Sequence, residues 1–291
     1  MTISASVSTP ENVPSLTTTM NDGHVIPMMG LGTWLINDCD SERMVDLALE
    51  AGYRHIDTAA IYENEAGVGR GIASSGVPRD KIFVTTKLWN SDQDDPSSAL
   101  HASLERLGLD HVDLYLIHWP VPEKHQFDDA WRGLIKLRDE GLATSIGVSN
   151  FNPAHLEFII KDTGVVPAVN QIELHPTFGN KQAVAANAKH GIVTESWSPL
   201  GRAEDLTNPV IQEIADRRGI TLAQVIIAWH IAKGYVVFPK TLSPQRLVEN
   251  FASQAVQLSP EDIAAIDDLD DGNRQGGDPE TFGGPTTVIN Q

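Results

Sequence analysis

The strongest constraint on the fold is a regular alternation of short apolar runs with amphipathic segments. The segments begin with helix-start signals such as Asn152-Pro153 and Ser243-Pro244, in which a capping side chain precedes a proline at the first helical position. Strands that alternate with helices predict a parallel sheet, and eight repeats favour its closure into a (β/α)8 barrel, the TIM-barrel class of α/β fold. The eight strand-like runs lie at residues 29–33, 54–58, 82–87, 112–119, 145–149, 168–172, 192–197 and 235–238.

Several segments lie outside the eight repeats. Asn21-Asp22-Gly23 lies between two short strand-like runs in residues 16–29, which predicts a β-hairpin that covers the closed end of the barrel. Two helical runs, 209–218 and 222–232, separate the seventh and eighth strands, and a further C-terminal helix begins at Ser259. The tail from Gly272 onward is rich in Gly and Pro and predicts a loop. We therefore expect a flexible N-terminus over 1–14 and a single domain over 15–291.

Composition limits the partners. A net charge of −18 opposes binding to nucleic acid and to anionic lipid surfaces. The longest apolar stretch contains Gln224 and His230, and the N-terminal residues lack a basic and apolar signal pattern. Cys39 is the only cysteine, so no internal disulfide and no Cys-containing metal site is expected. We expect a cytoplasmic monomer that acts on a small molecule and binds no metal, nucleic acid or membrane.

Polar side chains stand where three of the predicted strands end. Asp57, Lys87 and His118 occupy these positions, and Tyr62 lies in the loop after the second strand. Active sites of (β/α)8 barrels form at the carboxyl ends of the strands. Taken singly, each residue has an ordinary structural interpretation, but four such residues at one barrel face predict a catalytic group.

These residue types suit the reduction of a carbonyl group, which needs a proton on the oxygen as hydride reaches the carbon. Tyrosine is a weak acid, with a pKa of about 10. A Lys87 cation would lower the pKa of Tyr62, while Asp57 would keep the lysine charged and His118 would position the carbonyl oxygen. We therefore predict Tyr62 as the proton donor.

The chain resembles the aldo-keto reductases, most closely the bacterial type similar to 2,5-diketo-D-gluconate reductase. The resemblance runs from about Leu16 to Phe282, and its motifs are GLGTW at 30–34, GYRHIDTAAIYENE at 52–65, TKLWN at 86–90, DLYLIHWP at 113–120, GVSNF at 147–151 and NQIELHP at 170–176. It implies that Asp57, Tyr62, Lys87 and His118 form a catalytic tetrad. It also implies NADPH-dependent reduction of aldehydes or ketones, including α-diketones and keto-sugars such as 2,5-diketo-D-gluconate.

The glycine clusters do not predict a dinucleotide-binding Rossmann fold. Gly30-Leu31-Gly32 and Gly67-Val68-Gly69 each lack the third glycine of the GxGxxG pattern. A better phosphate site is the helix start after the eighth strand, where Lys240 and Arg246 flank a helix N-terminus. Two cations at one site suit the 2′-phosphate of NADPH and favour it over NADH.

The resemblance extends the set of cofactor contacts. Ser149, Asn150 and Gln171 match ligands of the nicotinamide carboxamide, and Trp197 matches an aromatic residue that stacks on the ring. From the residues alone, Ser149-Asn150 is equally consistent with a cap on the next helix. The full expected set is Gly32, Thr33, Asp57, Ser149, Asn150, Gln171, Trp197, Ser198, Pro199, Leu200, Gly201, Lys240, Thr241, Leu242, Arg246, Glu249 and Asn250.

Three tryptophans follow strand ends and predict an apolar wall around the substrate. Trp34, Trp89 and Trp119 would surround the barrel mouth beside Tyr62 and His118. Because the tail is short and Gly-rich, we expect an open pocket. Two other functions remain compatible with these residues, an aldolase in which Lys87 forms a Schiff base and a non-catalytic sensor that binds NADPH.

Overall fold

A computed structural model of the chain describes residue 13 and residues 15–284. Its strands are β1 Thr17–Thr19, β2 Val25–Pro27, β3 Leu31–Gly32, β4 His55–Asp57, β5 Phe83–Leu88, β6 Val112–Ile117, β7 Ala143–Ser149, β8 Val169–Glu173, β9 Val193–Trp197 and β10 Val236–Val237. Its helices are α1 Asp38–Glu50, α2 Glu65–Ser74, α3 Pro96–Leu107, α4 Phe127–Asp139, α5 Pro153–Thr163, α6 Lys181–His190, α7 Pro209–Arg218, α8 Leu222–Ala232, α9 Pro244–Ala252 and α10 Pro260–Asp267.

Strands β3 to β10 form one parallel sheet in which each strand pairs with its neighbours in the sequence. The sheet closes because the residues before β3 bond to β10. The N–H of Gly30 donates to the carbonyl of Val237 at 3.0 Å, and the N–H of Val237 donates to the carbonyl of Met28 at 2.9 Å. The predicted (β/α)8 barrel is confirmed.

Glycine permits the tight closure of the barrel at this seam. A Cβ at Gly30 would lie 2.6 Å from the ring of Phe238, and one at Gly32 would lie 3.0 Å from the Phe238 carbonyl oxygen. Because the chain is held so close to β10, the first barrel strand is limited to Leu31–Gly32 and an isolated bridge at Met29, whereas the prediction was 29–33. The other strand ends differ from prediction by one or two residues.

The predicted hairpin lies at the closed end of the barrel. Strands β1 and β2 are antiparallel, and Gly23 in the turn between them has φ of +91°, a conformation that favours glycine. Met20 and Ile26 are buried in one cluster with Phe83 and Val236, which begin or lie near the amino ends of their strands. The hairpin therefore seals the face opposite the carboxyl strand ends.

The extra helices are also confirmed. Helices α7 and α8 lie between β9 and β10, and α10 follows the barrel. A second apolar cluster, which includes Ile214, Ile226 and Ile266, joins α7, α8 and α10. None of the helices among the described residues has both the length and the apolar character needed to cross a bilayer.

Gly67 and Gly69 on α2 allow neighbouring helices to approach. A Cβ at Gly67 would lie 1.9 Å from the carbonyl oxygen of Asp38, and one at Gly69 would lie 2.1 Å from that of Leu107. This pair serves helix packing, which agrees with the lack of a GxGxxG pattern at these residues. The predicted flexible segment 1–14 falls outside the described residues apart from Val13, which packs against the main core cluster.

Candidate active site

Four polar side chains meet at the carboxyl end of the barrel strands. Asp57 is the last residue of β4, Lys87 is the last but one of β5, and His118 directly follows β6. Tyr62 ends a 3-10 turn, Ala60–Tyr62, that brings the chain back over the barrel after β4. The structure thus brings together the four residues that the sequence singles out.

Lys87 and Asp57 form a buried ion pair at the centre of this group. The Lys87 Nζ donates to Asp57 Oδ1 at 2.8 Å and to the carbonyl oxygen of Thr58 at 2.8 Å. Lys87 is 0% exposed, and its ammonium lies 5.1 Å from the centroid of the Tyr62 ring. The lysine therefore faces a carboxylate on one side and the phenol on the other.

The charge of Lys87 is set by competing effects. Burial acts to lower the pKa of Lys87, but the Asp57 carboxylate, assisted by Tyr62 and Glu195, outweighs burial and raises it above its ordinary value. Lys87 is therefore a cation at neutral pH.

The prediction that the pKa of Tyr62 is lowered is wrong for the protein without cofactor or substrate. Burial is the largest influence and raises the pKa of Tyr62, while the Lys87 charge opposes it and Asp57 adds to it; the net direction is upward. Desolvation of the phenolate outweighs one nearby cation that is itself neutralised by a carboxylate. Tyr62 is a protonated acid across the neutral range.

His118 completes the group as a neutral imidazole. Burial and then the Lys87 charge hold the pKa of His118 well below its ordinary value. Its ring makes edge contacts with Tyr62 at 5.7 Å and Trp89 at 5.0 Å between ring centroids. A neutral imidazole in this position can donate one hydrogen bond to an oxygen that lies beside the phenol.

Beneath the group lies an acid that the sequence analysis missed. The Nε2 amide of Gln171 donates to Asp57 Oδ2 and to Glu195 Oε2, each at 2.9 Å. Glu195 is fully buried, and burial, with Asp57 in second place, raises its pKa to about 8. The available signal was a glutamate in the middle of the predicted barrel strand β9, where a buried carboxylate is costly without partners.

Two of the predicted tryptophans lie together in a buried aromatic cluster. Trp89 and Trp119 are each 7% exposed and share a cluster with Val121, which Ile61 and Phe282 flank. Trp34 is 40% exposed and is not a member of this buried cluster, and the Arg202 guanidinium lies 5.6 Å from its ring centroid. Two of the three predicted tryptophans therefore line one side of the mouth.

The expectation of an open pocket is wrong, because the tail crosses the mouth. Phe282 lies 4.3 Å from Trp119 between ring centroids, and the carbonyl of Gly283 accepts from Asn90 Nδ2 at 2.9 Å. At Gly284 a Cβ would lie 2.8 Å from the Trp89 ring. The tail has no helix or strand over 270–284, as predicted, yet it packs closely on the indoles. The one aromatic residue among its glycines was the signal for this contact.

The predicted phosphate site lies at the start of α9. Lys240 and Arg246 are both exposed there. The Ser243 hydroxyl accepts the Arg246 N–H at 3.3 Å, and the Ser243 N–H donates to Thr241 Oγ1 at 3.0 Å. The helix start therefore offers fewer free N–H groups than the sequence suggested, and its positive charge comes mainly from the two side chains.

A sequence model described as the Aldo/keto reductase family matches residues 28–271, which is most of the chain. The chain belongs to the aldo/keto reductase family. It is 54% identical over 91% of its length to an aldo-keto reductase of Mycolicibacterium smegmatis, covering 97% of that protein. It is 48% identical over 91% of its length to the methylglyoxal reductase DkgA of Salmonella typhimurium, again covering 97% of that protein. A solved structure of a Gox0644 variant in complex with NADPH matches with a TM-score of 0.88 and 42% identity, over 91% of this chain and 98% of that chain.

In this aldo/keto reductase the residues expected at the nicotinamide lie in one connected group. The Ser149 hydroxyl donates to the Gln171 carbonyl oxygen at 2.8 Å, and Asn150 Oδ1 accepts from Trp197 Nε1 at 2.8 Å. The alternative role as a helix cap is wrong for Ser149-Asn150, because Asn152 is the cap of α5. Asn150 has φ of +63°, a left-handed conformation that sets its side chain beside Trp197.

The remaining expected cofactor residues fall into two regions. Gly32 and Thr33 are buried at the end of β3, where the Thr33 hydroxyl donates to the Asp57 carbonyl oxygen at 3.1 Å. Ser198, Pro199, Leu200 and Gly201 form a tight turn after β9, closed by a bond from the Gly201 N–H to the Ser198 carbonyl oxygen at 2.9 Å. The other region surrounds the start of α9 and contains Lys240, Thr241, Leu242, Arg246, Glu249 and Asn250.

Proposed function

We propose that this chain reduces small carbonyl compounds with NADPH, and that Tyr62 delivers the proton. The observation that carries the proposal is the position of Lys87, a fully buried cation 2.8 Å from Asp57 and 5.1 Å from the Tyr62 ring centroid. A buried cation next to a phenol stabilises the negative charge that develops as the phenol gives up its proton.

The residues fit NADPH at both ends of the molecule. Two exposed cations, Lys240 and Arg246, provide the donor set that a phosphate monoester requires. At the other end, Ser149, Asn150 and Gln171 supply hydroxyl and amide groups for a carboxamide, and Trp197 offers a flat apolar face. When bound, NADPH supplies the hydride.

Each member of the central group has one role in this proposal. Tyr62 holds the proton, Lys87 stabilises the phenolate that remains, and Asp57 keeps Lys87 charged and fixed. His118, as a neutral imidazole, orients the carbonyl oxygen toward the phenol. Trp89, Trp119 and Phe282 exclude water from the reacting atoms.

The charge on Lys87 disfavours the aldolase alternative. Schiff-base formation needs an uncharged amine, whereas Asp57 raises the pKa of Lys87 against the effect of burial. We propose α-dicarbonyl compounds such as methylglyoxal, and keto-sugars, as the first substrate classes to test. The DkgA relative, named as a methylglyoxal reductase, supports the former.

The function is tested by mixing the protein with NADPH and a panel of aldehydes, α-dicarbonyls and keto-sugars, and following the nicotinamide absorbance. The proposal predicts carbonyl-dependent loss of absorbance with at least one class. Tight NADPH binding without turnover on any class would favour the sensor alternative. Borohydride trapping of substrate on Lys87, with no need for NADPH, would favour the aldolase.

We also propose that residues 15–291 work as a single catalytic domain, as a monomer in the cytoplasm. The single cysteine, which permits no internal disulfide, fits a reducing compartment and supports this location. Sedimentation of the purified protein at micromolar concentration tests the oligomeric state.

A further inference from the structure

A second cluster of buried ionisable groups lies beside the candidate active site and has no part in the chemistry proposed above. Glu173, His175 and Asp205 are each 2% exposed or less. His175 Nδ1 lies 3.1 Å from Asp205 Oδ2, and His175 Nε2 lies 3.3 Å from Glu173 Oε1. An imidazole with a carboxylate at each ring nitrogen donates through both only when it is protonated.

The cluster accordingly holds one positive and two negative charges. Burial acts to lower the pKa of His175, but the two carboxylates outweigh it and raise the pKa to about 9. Burial acts to raise the pKa of Glu173, but His175 and two backbone N–H groups hold it below its ordinary value. Such a network costs desolvation energy, which only well-placed hydrogen bonds can offset.

The cluster joins three separate segments of the chain. Glu173 holds the tail, because its Oε1 accepts the Gln275 N–H at 2.6 Å and its Oε2 accepts the Gly276 N–H at 2.9 Å. Asp205 belongs to the loop after β9 and also accepts from the Thr177 hydroxyl at 2.9 Å. His175 lies between them in the loop after β8.

The tail segment 273–277, which we call the strap, also binds the loop after β9 directly. Gln275 Nε2 donates to the carbonyl oxygen of Gly201 at 2.9 Å and to Glu204 Oε2 at 3.1 Å. Gly201 ends the turn 198–201, whose residues belong to the expected set of cofactor contacts. The strap is therefore tied to that turn as well as to the barrel.

The strap packs against Trp197, the aromatic residue that is expected to stack on the nicotinamide ring. A Cβ at Gly276 would lie 2.2 Å from Trp197 Cη2 and 2.6 Å from Glu173 Oε2. Only glycine fits between the indole and the carboxylate that anchors the strap. The other edge of the indole is fixed by its bond to Asn150.

We infer that Glu173, His175 and Asp205 are positioning residues that lock the strap and the loop after β9 together, and thereby hold Trp197 in place for the nicotinamide. This inference rests on the proposed function only for the identity of the ligand. The three groups act through the strap and do not contact the reacting atoms.

The test compares Glu173→Gln and Gly276→Ala with wild type and with Asp262→Asn. Asp262 is an equally buried carboxylate that pairs with Arg217 and Arg218 away from the strap, so its variant controls for loss of stability alone. The first readout is amide hydrogen exchange of Gln275 and Gly276 without cofactor. The second is the Kd for NADPH by tryptophan fluorescence.

We expect Glu173→Gln to speed exchange at both strap amides and to weaken NADPH about tenfold, as for loss of one buried charged hydrogen-bond partner. Gly276→Ala should weaken NADPH binding by a similar factor. Asp262→Asn should change neither the exchange at the strap amides nor the Kd for NADPH. Unchanged exchange and Kd in Glu173→Gln, or equal losses in Asp262→Asn, would overturn the inference. If wild type itself does not bind NADPH, the proposed function fails, but the exchange readout still tests the strap.

Discussion

The Lys87 ammonium lies 2.8 Å from the Asp57 carboxylate inside a barrel where Lys87 has no exposed surface. Burial alone would favour a neutral amine at position 87, so Asp57 decides the charge that faces Tyr62. The electrostatics of the candidate site thus depend on one ion pair. Breaking a buried pair is costly because the remaining charge is left without a partner.

Asp57→Asn should lower kcat by about 100-fold or more, since a buried lysine without its carboxylate loses charge and no longer stabilises the phenolate. Steady-state kinetics with a saturating carbonyl substrate measure this. Asp262→Asn serves as the control, because it removes a buried carboxylate that pairs with Arg217 and Arg218 and forms no ion pair with the central group among the described residues. A kcat in Asp57→Asn within twofold of wild type would count against the role given to this pair.

The pH profile follows from the raised pKa of Tyr62. Because the donor must be protonated, kcat for reduction should stay level through neutral pH and fall only as the pH rises past the ordinary tyrosine value of about 10. Lys87→Met removes the influence that lowers this pKa, so the alkaline decline should move to higher pH while kcat falls. Rapid assays across the range, with Tyr115→Phe as a buried-tyrosine control, test both points. A decline of kcat near pH 7 would contradict the assignment.

Arg246→Ala should weaken NADPH about tenfold or more and leave NADH nearly unchanged, since a charge-assisted bond to phosphate contributes roughly 1.5–3 kcal/mol. Equilibrium fluorescence titration of both cofactors gives the ratio. Arg43→Ala, an exposed arginine on α1, is the control. The same loss of affinity for both cofactors would remove the basis for a phosphate contact.

His175 should make stability depend on pH above neutrality. Its pKa is near 6.5 in the unfolded chain and about 9 in the fold, so its contribution is full below pH 6.5 and is lost as the pH rises through 9. The Tm difference between wild type and His175→Gln should therefore shrink between pH 6 and 9.5.

The comparison isolates His175 because the other groups near it are the same in both proteins. Glu173, Asp205, Arg274 and His230 surround the imidazole, and the pKa of His230 is lowered to about 4 by burial first of all. Titration of these groups and of Glu195 affects the Tm of both proteins equally, so it cancels in the Tm difference unless the substitution itself alters that titration. A constant Tm difference across the range would show that His175 is not protonated in the fold.

The barrel could be predicted from the sequence because each strand and helix carries its own local signal. Apolar runs, proline at helix starts and the Asp-Gly turn specify the elements, and the fixed handedness of β-α-β connections specifies their order. The central group was predictable for the same reason, since strand ends of a closed barrel meet at one face. Asp57, Lys87 and His118 could be predicted from their positions at the ends of successive strands alone.

Long-range packing was not predictable in this way. The contact of Phe282 with Trp119 and the bond from Gln275 to Glu173 join residues more than 100 positions apart through a tail without periodicity. The direction of the Tyr62 pKa likewise depends on a balance between burial and charge that only coordinates reveal. Glu195 carried a signal, a lone acid in the middle of a barrel strand, but its partner Gln171 lies on a different strand.

The most direct test of the account is Tyr62→Phe, measured for both turnover and cofactor affinity. The substitution removes only the phenolic oxygen, so kcat for carbonyl reduction should fall by at least about 100-fold while the Kd for NADPH stays within twofold of wild type. Tyr115→Phe, which removes a buried hydroxyl that has no hydrogen-bond partner among the described residues, should leave both values unchanged. Retention of wild-type kcat by Tyr62→Phe, or equal loss of turnover and NADPH binding, would contradict the claim that Tyr62 is the proton donor.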